Sequence, residues 1–249
     1  MTESINIYNG NGKIKIKGNA TEAHLFINQK PQIGTFLTEI GTTWRYLIGT
    51  EITCELLQEN YEYEDLVCNG KVDANLSLHE QFNFILKLLS NGNYQLDFCK
   101  FPFNVNFLPA NSLKNSRPYY DTYGGLVDII ETQTFIDRNI IEKYKSKIIN
   151  GQEPIPILLT IQNSTSVFIL DGHHKINAYR ELKKNPKALI ISKIGNKDFD
   201  LNEGVTIMKS MGLDDKKITM AYQREKENKH CETTSLNYSL KNLLQGSNS

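Results

Sequence analysis

Residues 167–182, VFILDGHHKINAYREL, decide how this chain is read. Val167 to Leu170 is a short apolar run of branched and aromatic residues, the composition of a buried strand, and Asp171-Gly172 breaks it. From His173 onward Ile176, Tyr179 and Leu182 recur at three-residue steps beside Ala178, which lays one apolar face along a helix. Strand, glycine turn and helix therefore follow one another directly. The first backbone N–H groups of a helix lack internal acceptors, and the helix dipole concentrates partial positive charge there. Gly172 lets a backbone approach a ligand closely, and His173, His174 and Lys175 add donors or cations on the first turn, so the predicted guest is an anion, polyphosphate first. The competing structural explanation is an ordinary helix capped by Asp171, with solvated histidines. A metal site is not expected, because adjacent helical residues project about 100° apart whereas zinc helices place their histidines four apart.

Outward from this turn the segments fall in a definite order. Residues 131–137, ETQTFID, read as extended. A helix follows to about Ile149, capped by Thr134 or Asp137, with Ile140, Ile141, Tyr144 and Ile148 on one face and lysines 143, 145 and 147 outside. Gly151 stops it, and PIPILLTI at 154–161 begins a strand whose prolines belong at its start or on an edge. After the central motif, Asn185-Pro186 ends the helix and ALIISKI at 188–194 returns as a strand.

This order, over 131–194, resembles the ParB/sulfiredoxin superfamily. In sulfiredoxins the strand-to-helix turn carries Gly-Cys-His-Arg; Gly172-His173-His174-Lys175 occupies that place here, and Tyr179 also matches. The cysteine that performs sulfinic-acid repair is missing, and so is the Gly-Glu-Arg-Arg motif with which ParB clamps grip a cytidine nucleotide. The Asp-Gly-His-His form is nearer to branches that include an archaeal-type free serine kinase. The resemblance implies a nucleotide, ATP or ADP first, with magnesium as companion ion and an unknown phosphoryl acceptor. The implied activity is that of a small-molecule phosphotransferase or nucleotide hydrolase. His173, His174 and Asp171 are then the catalytic candidates. His174 would donate to a phosphate oxygen, His173 would face the reaction centre, and Asp171 would cap the helix, orient magnesium or orient a hydroxyl nucleophile. Gly172, Lys175 and Glu153 are the nucleotide-binding candidates, and Glu131 and Glu153 are further carboxylate bases. Tyr123, with Tyr119 and Tyr120 beside Gly124-Gly125, offers an aromatic wall for a base or, alternatively, an anchor for the linker.

The first ~110 residues read as strands separated by turns. KIKIK at 13–17 alternates strictly, AHLFI, RYLI, EITCELL, YQLDF and FNVNFL continue the theme, and Asn9-Gly10, Asn69-Gly70 and Asn91-Gly92 mark turns. One helix is predicted from Ser77 to Leu89. The expected class is α+β: a ParB/sulfiredoxin-like core at 116–200, a β-rich N-terminal accessory domain at 1–115, and a helical extension with a polar tail at 201–249. Lysine plus arginine equals aspartate plus glutamate at 28 each, a balance that argues against nucleic acid or anionic lipid as partner. No apolar stretch approaches the ~20 residues of a membrane helix. Four cysteines without C-x-x-C pairing fit a cytoplasmic protein. Two other readings stay open: a non-catalytic interaction or regulatory module, with a protein partner for residues 1–115, and a ParB-like nuclease or DNA-binding protein.

Overall fold

The computed structural model describes residues 1–19, 22–37, 43–49, 63–101, 106–108, 118–121, 128–133, 135–164, 166–195, 201–210, 212, 214–216 and 218. The chain opens with β1 (Thr2–Ile7), β2 (Ile14–Gly18), β3 (Glu22–Ile27), β4 (Lys30–Leu37) and β5 (Thr43–Gly49). A π-helical turn at Glu64–Cys68 and two single-turn helices, α1 (Leu78–Gln81) and α2 (Asn83–Leu86), lead to β6 (Gly92–Lys100). β7 (Asn106–Leu108), β8 (Pro118–Asp121) and β9 (Asp128–Ile130) precede α3 (Arg138–Ile149). β10 (Ile157–Ile161), β11 (Ser166–Asp171), α4 (His173–Glu181), β12 (Lys187–Ile194) and α5 (Leu201–Ser210) complete the order. The protein is α+β, as predicted.

Two sheets result. The larger runs β1-β6-β12-β10-β11-β9-β7 and the smaller β2-β3-β4-β5-β8. In the larger, β10 pairs antiparallel with β11 and parallel with β12, while β11 runs parallel to β9. These central strands read as continuous apolar runs because both of their faces are covered. Ile157, Leu159, Phe168 and Leu189 point to one side, where they meet Ile16, Leu25 and Ile33 of the smaller sheet. Leu158, Ile169 and Ile190 point to the other, against Ile176 of α4. A third cluster joins α3 to α4 through Ile141, Ile148, Ala178 and Tyr179.

Strands from both sides of residue 115 share each sheet. β6 pairs antiparallel with β12 from Asn93↔Ile194 to Lys100↔Lys187, and β8 pairs with β5. The alternation in β6 accounts for its place: Tyr94 and Leu96 are buried and face the same core as Leu189 and Ile191.

Local signals set the helix ends. Asp137 accepts from the Asn139 N–H at 2.8 Å and opens α3, and Gly151, at φ +85°, follows its end. The helix predicted from Ser77 has its start there, with Ser77 and Glu80 forming a capping box, but it breaks at Phe82 (φ −101°, ψ 16°) into α1 and α2. Phe82 itself is fully buried, so burying the ring is what the break accompanies. EITCELL lies outside the described residues. Among the described residues no helix is long and apolar enough to cross a membrane.

Candidate functional site

β11 delivers Asp171 and α4 starts at His173, with Gly172 between them at φ +106° and ψ 22°. A Cβ at Gly172 would lie 2.9 Å from Pro156 Cα and 3.2 Å from Pro156 Cβ, so conformation and space both demand glycine. The Gly172 carbonyl accepts from the Ile176 N–H at 2.8 Å and begins the helix. No side chain caps this start, which leaves its first amides without the partner that Asp137 supplies in α3.

The two histidines turn away from solvent and fasten the preceding segment to the helix. His173 is 2% exposed; its Nε2 accepts from the Thr132 N–H at 2.9 Å. Thr132 Oγ1 lies 3.3 Å from the same nitrogen and donates to the Ile169 carbonyl at 2.5 Å. An accepting Nε2 places the proton of the neutral ring on Nδ1. Burial pushes the His173 pKa down to about 4; the Asp171 charge opposes this and His174 adds to it. His174 Nε2 accepts from the Asp137 N–H at 2.9 Å, and burial also lowers the pKa of this half-buried ring, against the pull of Asp137 and Asp171.

Lys175 bends back under the turn and is 1% exposed. Its Nζ lies 2.5 Å from Asp171 Oδ2 and donates to the Ile155 carbonyl at 3.3 Å. The second carboxylate oxygen, Oδ1, accepts from the Tyr63 hydroxyl at 2.6 Å. The ammonium also stands over two aromatic rings, 5.1 Å from the Tyr63 centroid and 5.8 Å from that of Tyr144. Tyr144 OH lies 3.4 Å from Cys68 Sγ. Burial raises the pKa of both phenols well above its ordinary range, helped at Tyr63 by the Asp171 charge and at Tyr144 by the Cys68 contact. A desolvated cation is thus neutralised by one carboxylate and surrounded by one carbonyl and two π-faces.

Asp171, Gly172, His173, His174 and Lys175 are therefore brought together, while Glu153 is not. Its carboxylate is exposed and accepts from Lys187 Nζ at 2.7 Å. Glu131 directly follows β9 and is half-buried. Tyr179 is buried on the α3–α4 contact, and its hydroxyl has no hydrogen-bond partner among the described residues. Tyr123 lies outside the described residues. Sequence reasoning missed Tyr63, Tyr144, Thr132 and the Ile155 carbonyl as members of the constellation. Tyr144 was visible as part of an apolar stripe, but nothing local ties Tyr63 to a turn that lies 108 positions away.

Among the described residues no group of three or more His, Cys, Asp or Glu stands together to hold a metal ion. No family model, no curated protein and no solved structure matches the chain.

Proposed function

We propose that the chain binds a phosphate compound, a nucleotide polyphosphate first among them, at the amino end of α4, and acts as a small-molecule kinase or nucleotide hydrolase. The observation that carries this reading is the uncapped start of a nine-residue helix behind an obligatory glycine, where the early amides have no side-chain acceptor. The resemblance of the Asp-Gly-His-His turn to the ParB/sulfiredoxin superfamily supports it. The roles differ from those read in the sequence. The backbone amides of the first turn take the phosphate oxygens. Lys175, held by Asp171, braces the turn from beneath and makes no direct bond to the phosphate. His173 and His174 act as neutral positioning residues that hold Thr132 and Asp137 beside the ligand. Asp171, 19% exposed in its side chain, is the carboxylate at this turn that would face an acceptor hydroxyl. A magnesium ion, when bound, would neutralise phosphate charge, but the described residues do not fit one here: both Asp171 oxygens are engaged and no set of three or more metal-ligating side chains stands beside them.

A second reading, a non-catalytic module, draws on one observation: both Asp171 oxygens already accept, from Tyr63 and from Lys175. A carboxylate so engaged is poorly placed to take a further proton.

Thermal unfolding with ATP and ADP, with and without magnesium, tests the binding site in wild type and in His174→Glu. Glutamate can still accept from the Asp137 N–H, but it adds a negative charge where the phosphate would sit. A ligand at about 100 times its Kd stabilises by about 2.7 kcal/mol, and that shift is expected in wild type and lost in the variant. Equal shifts in both proteins would remove the ligand from α4. Binding that depends on His174 but gives no ATP turnover with any hydroxyl acceptor would favour the second reading.

A further inference from the structure

We infer that a second anion site lies far from α4 along the chain fold, in the cavity between the outer edge of β2 and the ends of β10 and β12, and that it takes a compact ligand bearing two or more phosphate groups. The cavity measures about 480 Å³ and is lined by Lys15, Lys17 and Lys193, together with Ser90, Asn91 and a rim of glycines. A volume of this size suits a small organic phosphate or a short polyphosphate.

The strict alternation of KIKIK explains how the lysines come together. Ile14 and Ile16 are buried in the main core, so Lys15 and Lys17 share the opposite face of β2, two residues apart. β2 is an edge strand of its sheet, and Lys193, near the end of β12, reaches across to donate to the Ile16 carbonyl at 3.2 Å. Three cations thus converge on one space from two sheets. Among the described lining residues none is acidic. Glu203 of α5 pairs with Lys17. The pKa of Lys15 is lowered, first by burial and then by Lys17 and Lys193 as like charges, against the opposing pull of Glu203. Three ammonium groups around one space, countered by Glu203 at Lys17, favour an anionic guest, and a lysine ammonium is a compact point charge suited to phosphate. The rim is open to such a guest. At Gly12 and Gly195 a Cβ would meet nothing within 4 Å, and both take positive φ, +68° and +93°, so bare backbone bounds the mouth.

Amine labelling of the full chain with an acetylating reagent, read by mass spectrometry with and without inorganic pyrophosphate at low salt, tests this site directly. Lys15, Lys17 and Lys193 are expected to become protected, while Lys71 and Lys209, more than half exposed at 65% and 54%, keep their reactivity as internal references. Titration calorimetry in the His174→Glu background then compares the parent with Lys15→Gln and Lys193→Gln. Each change is expected to weaken pyrophosphate by about tenfold, the loss of one charge-assisted bond. The ligand-free melting temperature of Lys15→Gln should be unchanged or higher, because a repelling charge is removed. His174→Glu separates the two sites: it is expected to leave the protection of Lys15 and Lys193 intact. Unchanged labelling of these lysines under saturating pyrophosphate, or affinity that both glutamine variants retain, would overturn the inference whatever happens at α4.

Discussion

Burial holds the His173 imidazole at a pKa of about 4, against an ordinary value near 6.5, and this fixes the sign of a pH effect. Between those values the unfolded chain binds a proton that the native protein refuses. The contribution to stability is therefore complete above pH 6.5 and disappears as the pH falls toward 4, with a size of about 3 kcal/mol. Urea denaturation at pH 7.5 and 4.5 should show it as a falling midpoint. In His173→Gln, whose amide oxygen can still accept from Thr132, the fall should be smaller, and an identical fall would assign the effect to other groups. Lys175 is a buried amine that lies 2.5 Å from Asp171 Oδ2. Lys175→Ala leaves Asp171 beside Tyr63 alone and empties the space against both rings, and is expected to destabilise by roughly 3 kcal/mol in the same assay. The cluster of histidines and lysine was legible in the sequence, but its orientation was not. Residue type announces what a side chain can donate or accept, whereas here Thr132, Asp137 and Tyr63, all distant along the chain, determine which of those capacities is used.

At the level of elements, the turn that joins β11 to α4 concentrates the constraints. Gly172→Ala would force a side chain into left-handed backbone and against Pro156, both of which β10 and the sheet hold fixed. A loss of at least about 2 kcal/mol is expected, measured as a lowered urea midpoint, and a neutral result would mean that the turn relaxes. Elements with strong periodicity were readable. The 138–149 helix, its Asp137 cap, the 166–171 strand, the helix after it and the 187–194 strand all occur where residue patterns place them. Weakly patterned strands were not. β4 contains Pro31 and Gly34, and β9 has only three residues, so neither carries a signal separable from a loop; each exists because a neighbouring strand supplies its hydrogen bonds.

At the scale of the molecule, the two sheets share one apolar cluster among the described residues. The main cluster mixes Ile16, Leu25, Phe82 and Leu96 with Ile157, Leu159, Phe168 and Leu189. A fragment of residues 116–249 would expose one edge of β12 and half of this core, and its circular dichroism is expected to lack a cooperative melt, in contrast to a single transition for the intact chain. A folded, cooperatively melting fragment would show that the pairing of β6 with β12 is dispensable. β6 also carries a consequence in time. Its partner on one side, β1, leaves the ribosome early, but its partner on the other, β12, is made only at residues 187–194. Until then the apolar face of Tyr94 and Leu96 has no strand to complete its sheet. Closing so long a loop is a slow step in folding, and the nascent chain carries a strand with one open edge while residues 101–186 are made, the interval in which a holdase chaperone has most to protect.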